Sequence, residues 1–252
     1  MIKNCSVWSK VVKVWLASSP INLEEYRRLA LKFERNKATI TTLVSKIKPS
    51  KDFNNYCIST RMLFEAIVEV TGKNFIVDSS KTPQRIAVLD KIVNLEVLHL
   101  CRNAKGVLNS AKKSYKMDIE AGFETDFPAR RTSKTLIDWF FVNLITEIFK
   151  IGVISRKIRY EAYLNDPEYI GSLHNKIRTP IITKGLSTDH MLAGNVLRLK
   201  KNIKIDGSLG FHYKRLSTLQ FKIASILDTL LPFWSWDIKR KFEFSRKKGI
   251  QL

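Results

Sequence analysis

Two short apolar runs, Phe75-Ile76-Val77 and Leu95–Leu100, stand about twenty residues apart with a helix-forming stretch between them. That spacing constrains the fold more than any other feature. Parallel strands need a crossover of a dozen or more residues, usually a helix, so strand, helix and strand at this distance predict a βαβ unit. The flanking sequence agrees. Ile58–Val70 places Met62, Leu63, Ala66, Ile67 and Val70 on one helical face, and Gly72-Lys73-Asn74 ends that helix ahead of the first run. Pro83 opens a helical stretch through Leu89, because its missing N–H has no partner in a first turn anyway. A Gly106-containing helix follows the second run, and Thr132–Lys150 is a strong helix. Ile158-Arg159-Tyr160 is a candidate third strand, and Leu216–Leu231 a helix presenting Phe221, Ile223, Ile226, Leu227 and Leu230. The predicted class is α/β with a short, mainly parallel sheet.

The 252 residues, 44% of them hydrophobic, suffice for one substantial core, and no internal repeat divides them. The expected organisation is one domain over residues 1–235 and a basic tail over 236–252. In the tail Lys239, Arg240, Lys241, Arg246, Lys247 and Lys248 mix with Phe242 and Phe244, giving a solvated tail or a surface-binding helix. Lys116–Thr132, with Gly122, Pro128, Arg130 and Arg131, is the expected long loop over an active site. Against 23 Asp and Glu stand 44 Lys and Arg, a formal charge of +21, which points to anionic partners: a phosphorylated cofactor, nucleic acid or a lipid surface. Cys5, Cys57 and Cys101 are odd in number, far apart and free of any CxxC pair, which favours a reducing, cytoplasmic compartment. The first residues form neither a signal-peptide core nor a span, so the chain is expected to be soluble or at most peripheral to a membrane.

Chemistry concentrates between Ile76 and Ser110. Strands ending at Asp78-Ser79-Ser80-Lys81 and at Arg102 would set two polar loops side by side at the carboxyl edge of the sheet, where open α/β sheets bind anions. Arg102 can fork two hydrogen bonds onto a phosphate, and Ser110 can add a hydroxyl from the first turns of the next helix. VDSSK followed by LCRNAKGVLNS resembles the sulfotransferases that use 3′-phosphoadenosine 5′-phosphosulfate (PAPS), enzymes with a three-layer, P-loop-like α/β domain. The resemblance implies that Arg102 and Ser110, in an R-x7-S pattern, hold the cofactor's 3′-phosphate. Trp139 and Asn143 follow in the family's order, and IRYEAYLNDPEYI at Ile158–Ile170 is similar to its RYEDL…DP element, with Ala162 in place of Asp. There Arg159 and Glu161 are expected to pair across a strand end. His190–Arg198 resembles the H…GNPxR loop of bacterial-type members, with Val196 in place of Pro, and it implies cofactor contacts from Asn195 and Arg198. After Asp206, Phe211 or His212 stands where a Trp is common.

The implied activity is in-line transfer of a sulfuryl group from PAPS to a hydroxyl or amine of a carbohydrate, lipid or small molecule. Lys81 would stabilise charge near the moving group; Asp78 would orient its loop, act as base or simply cap the strand end. Nothing before Phe75 reads as the RSGST-type loop that cradles the 5′-phosphosulfate in this family, whereas Cys5–Trp8 is similar to the C-x-x-W segment beyond that loop. The chain is therefore expected to be N-terminally incomplete or degenerate and weakly active as it stands. A rival reading is a non-catalytic basic protein on nucleic acid or an anionic surface; the even spread of charge and the helix-core spacing of the aromatics disfavour nucleic acid. His99, His174, His190 and His212 lack ligand spacing, so no metal is expected, and His99 reads as a core or strand-edge residue. GxSxG and GxxxxGK[ST] motifs are missing, which disfavours hydrolase and nucleoside triphosphatase readings.

Overall fold

The computed structural model describes residues 5–73, 75–112, 115–116, 126–127, 129–165 and 213–231. It is mainly helical, with a short two-stranded parallel sheet, an arrangement loosely compatible with the α/β class. The described chain divides into two compact units: residues 5–97 with 145–154, and residues 98–144 with 155–165 and 213–231. Each is taken by itself below.

The first unit is built on helices α1 (Ser6–Ser18), α2 (Leu23–Phe33), α3 (Thr39–Ile47), α4 (Lys51–Thr71) and α5 (Arg85–Leu89). Local chemistry sets their ends. Asn22 caps α2 by accepting from the Glu25 N–H at 2.9 Å, and Ser50 caps α4 by accepting from the Phe53 N–H at 3.2 Å. Gly72 ends α4 with φ at +63°, a conformation open to glycine. The α4 face read from the sequence does pack: Met62, Leu63, Ile67 and Val70 flank buried Ala66, Val11 and Trp15. Trp15 Nε1 also donates to the Ser59 carbonyl at 2.8 Å. A second cluster joins Leu29, Phe33, Phe53, Tyr56, Cys57 and Val88, and all five residues of α5 are buried.

Phe75–Val77 is not a strand. Phe75 and Val77 are 50% and 74% exposed and carry no ladder. Instead Asp78 anchors the segment, accepting from the Ser80 N–H at 2.9 Å and from Arg85 Nε at 3.0 Å. These bonds hold the segment as a loop. The partner of β1 (Glu96–Cys101) is the strand Ile154–Arg159, so the expected pairing of the runs around Val77 and Leu98 is replaced by a more distant one.

The second unit takes in most of that parallel pair with α6 (Ala104–Ala111), a short antiparallel pair formed by β2 (Tyr115–Lys116) and β3 (Asp126–Phe127), then most of α7 (Thr132–Phe149) and of β4 (Ile154–Arg159), α8 (Tyr160–Asn165) and α9 (Thr218–Leu230). Tyr160 opens a helix rather than closing the strand. β1 alternates in burial: His99 and Cys101 face inward while Leu98 and Leu100 are partly exposed, so one face of the pair is covered among the described residues. Cys101, Ala104, Leu108, Leu136, Trp139 and Ala224 form the core of this unit. α9 packs differently from its sequence pattern. Ala224, Leu227 and Asp228 turn inward while Ile223, Ile226 and Leu230 stay exposed, because small Ala224 lets the helix approach and Asp228 then bonds the start of α6. His99 is buried, with Nε2 3.2 Å from Asn143 Oδ1, as a core histidine should be. Among the described residues no helix is long and apolar enough to cross a membrane.

Candidate functional site

The carboxyl end of β1 gathers the unit's polar side chains. β1 stops at Cys101, Arg102 follows, and Asn103 is the N-cap of α6, its side-chain oxygen accepting from the Gly106 N–H at 2.6 Å. Internal carboxylates take the amides beside it. Glu161 Oε1 accepts from the Asn103 N–H at 3.1 Å, and Asp228 Oδ1 accepts from the Ala104 N–H at 2.6 Å. The positive end of the helix is thus already neutralised from within. Any further anion must be met along the flank of α6 by side chains.

That flank is shaped by a missing side chain. The Arg102 guanidinium packs 4.7 Å from the centroid of the Tyr160 ring, a cation–π distance, and its Nε is buried without a hydrogen-bond partner among the described residues. A Cβ at position 106 would stand 2.7 Å from this Nε, so Gly106 leaves the recess in which the arginine lies. Ser110, four residues after Gly106, stands one turn further along the same face. The sequence expectation set its hydroxyl in the first turns of the helix; it is the penultimate helical residue, because α6 is only eight residues long.

Around this core, Lys105 Nζ lies 5.2 Å from the Phe221 ring, 5.8 Å from the Tyr213 ring and 3.9 Å from Asp228 Oδ2. The Tyr213 hydroxyl accepts from Asn103 Nδ2 at 3.0 Å. Arg159 Nε lies 3.6 Å from Glu161 Oε2, so the expected Arg159–Glu161 pair is present and serves to seat the Asn103 amide. Burial pushes the Asp228 carboxyl above the usual carboxylate range, against the pull of the Ala104 N–H and the Lys105 ammonium. Trp139 Nε1 donates to the Arg102 carbonyl at 2.9 Å, and Asn143 Nδ2 to the Trp139 carbonyl at 2.7 Å, so these two residues brace the end of β1 from α7.

Asp78 and Lys81 belong to the first unit. Both oxygens of Asp78 are engaged, one by its own turn and one by Arg85; Lys81 is exposed and makes no ion pair among the described residues. Arg85 Nη1 continues the network to Glu34 Oε1 at 2.8 Å and to the Tyr56 hydroxyl at 3.2 Å, and Tyr56 donates to the same carboxylate at 2.7 Å. Burial, with the Glu34 carboxylate next to it, raises the Tyr56 phenol well above its ordinary value. Asp78 is thus placed as a turn cap and ion-pair partner. Asn195 and Arg198 lie outside the described residues.

Two members of the site escaped sequence reasoning: Asp228, and Glu161 as an amide acceptor. The signal for Asp228 was an acid on the Ala224–Leu227 side of an apolar helix, which demands a buried donor. Among the described residues no three His, Cys, Asp or Glu side chains converge as metal ligands. No family model, curated protein or solved structure matches the chain.

Proposed function

We propose that this chain is a sulfotransferase-type protein whose second unit binds the 3′-phosphate of PAPS along the flank of α6, through Arg102 and Ser110. One observation carries the reading: the Arg102 guanidinium lies over Gly106 with its Nε unpaired among the described residues, and Ser110 follows one turn along. A planar guanidinium fixed by an aromatic ring is a bidentate phosphate donor, and a hydroxyl about 6 Å along the helix reaches another oxygen of the same group. Arg102, Lys105 and Arg159 outnumber Glu161 and Asp228 by one, an excess that suits an anion.

In this reading β1 and β4 are the centre of a P-loop-like three-layer domain, Asn195 and Arg198 complete the nucleotide contacts, and Lys81 meets the transferred group. PAPS supplies an activated sulfuryl group for attack by an acceptor hydroxyl or amine. The protein's part is positioning and charge stabilisation, as in phosphoryl transfer. No part of the 5′-phosphosulfate cradle is taken in this reading from residues 5–73, whose described residues hold helices and no strand. Transfer by this chain alone is therefore slow, since losing even one such donor costs about 10²- to 10³-fold.

The test is thermal. At a hundredfold excess over its Kd, 3′-phosphoadenosine 5′-phosphate should raise the melting temperature by roughly 5–10 °C, and Arg102→Ala should abolish the shift. Adenosine 5′-phosphate, lacking the 3′ group, should give much less. An equal shift with both nucleotides, or one that survives Arg102→Ala, refutes the assignment. Activity is then followed as labelled sulfate passing from PAPS to a panel of hydroxyl and amine acceptors.

A further inference from the structure

Helix α3 sends Leu43 into the core beside Ala87 and Phe149, yet it also carries an apolar stripe on its outer side. Its inward residues include Thr42, fully buried with Oγ1 donating to the Phe33 carbonyl at 2.6 Å, and buried Ser45. Its outward residues are Ile40, Val44 and Ile47, exposed to 77%, 57% and 87%. A helix packed against a core with only water beyond turns its β-branched aliphatics inward and its hydroxyls outward. Here the spacing of four and then three residues makes the exposed set one continuous stripe. The arrangement is economical only when something apolar lies on the outer side.

The surrounding charge says what that is. Residues 35–51 contain Arg35, Lys37, Lys46, Lys48 and Lys51 and not one Asp or Glu. Arg35 and Lys37 precede the stripe, and Lys48 and Lys51 follow it, all four exposed; Lys46 is held by Asp90 at 3.0 Å. A short aliphatic stripe with cations at both ends matches the boundary of an anionic bilayer, where alkyl side chains enter the acyl edge and ammonium groups meet headgroup phosphates. It offers a protein partner no aromatic anchor, and the acid beside it, Asp90, is taken up by Lys46.

We propose that α3 docks the chain on an anionic lipid surface, inserting Ile40, Val44 and Ile47 while Arg35, Lys37, Lys48 and Lys51 bind headgroups. The stripe lies within the first unit and uses none of the residues assigned to nucleotide binding. It makes the chain peripheral to a membrane through folded structure.

The experiment is flotation of the full chain with vesicles of phosphatidylcholine, with and without phosphatidylserine. Binding is expected to the anionic vesicles, weakly to the neutral ones, and to fall with added salt. The triple variant Lys37→Gln/Lys48→Gln/Lys51→Gln should lower the partition coefficient about 100-fold, at about fivefold for each cation removed from an anionic leaflet. Ile47→Ser should lower it about tenfold, and Ile40→Ser/Val44→Ser/Ile47→Ser should abolish it. Since these side chains are exposed, melting temperatures should stay at the parent value; if the serine triple unfolds, Ile47→Ser alone decides the question. Three results overturn the proposal: no binding to anionic vesicles, binding that survives loss of the apolar stripe so that charge alone holds the chain, or a self-associated species that the serine variants dissolve.

Discussion

Gly106→Ala separates the geometry of the candidate site from ordinary helix energetics. Replacing glycine by alanine inside a helix normally stabilises by up to about 1 kcal/mol. Here the new methyl would lie 2.7 Å from Arg102 Nε and 2.8 Å from Asn103 Oδ1, both too close, so both side chains must move. Moving Asn103 loses the N-cap bond to residue 106, worth about 1 kcal/mol. Moving the guanidinium loses its contact with Tyr160, worth about 1 kcal/mol in this half-buried setting. The losses exceed the gain, and a net destabilisation of about 1 kcal/mol is expected, seen as a fall of roughly 2–4 °C in melting temperature. The effect on ligand binding is far larger: the shift given by 3′-phosphoadenosine 5′-phosphate should vanish, the outcome also expected of Arg102→Ala. Thermal unfolding with and without nucleotide measures both quantities in one series. A variant more stable than the parent that keeps the full nucleotide shift would refute the placement of Arg102 over Gly106.

Three further outcomes are expected. Arg85→Met strips the cation from Glu34 and Asp78 in a largely buried network and should cost about 3 kcal/mol by urea denaturation at constant slope; a loss below about 1 kcal/mol would mean the network is not held in this form. Asp228 has a raised carboxyl pKa, so the folded state holds its proton more tightly than the unfolded chain does, and the stability this gives is present at acid pH and lost as pH rises through the folded value. Asp228→Asn keeps an oxygen for the Ala104 N–H and should therefore gain on the parent as pH rises above about 4, whereas Asp228→Ala should be less stable than either; parallel pH profiles for parent and Asp228→Asn would contradict this. Burial pushes the Cys57 thiol up to about 12, and Cys101 is also buried, so an aromatic disulfide reagent near pH 8 should label Cys5 quickly and the other two only after unfolding.

The periodic elements were legible in the sequence: the face of α4, strand β1, helix α7 and the bounds of α9 all follow from apolar spacing and turn residues. Phe75–Val77 misled because three consecutive apolar residues look alike in a strand and in a loop, and what decides is whether a ladder partner is at hand. Asp78, with its own turn and Arg85 as partners, wins that competition. Helices α1 to α3 and the first turns of α4, before Ile58, went unread although Asn22 and Ser50 are ordinary capping signals at the starts of α2 and α4. α3 in particular could not be oriented, since it has aliphatics on both sides, Leu43 inward and Ile40, Val44 and Ile47 outward. At the candidate site, Arg102 and Ser110 could be picked out because their relation is local. The acceptors that neutralise the start of α6 come from Glu161, 58 residues on, and Asp228, 124 residues on, and no local pattern announces such pairings.

That last separation bears on how the protein is made. The aromatic clusters that join α1, α2, α4 and α5 use residues between Val7 and Ile92, so they can close while the rest of the chain is still being synthesised. α6 cannot finish in the same way. Until α9 leaves the ribosome the Ala104 amide has no acceptor from Asp228, and the loop to be closed is among the longest in the chain. A nascent chain arrested before Tyr213 should therefore carry a protease-resistant amino-terminal part and a cleavable segment around α6, and completing α9 is the event that shuts it.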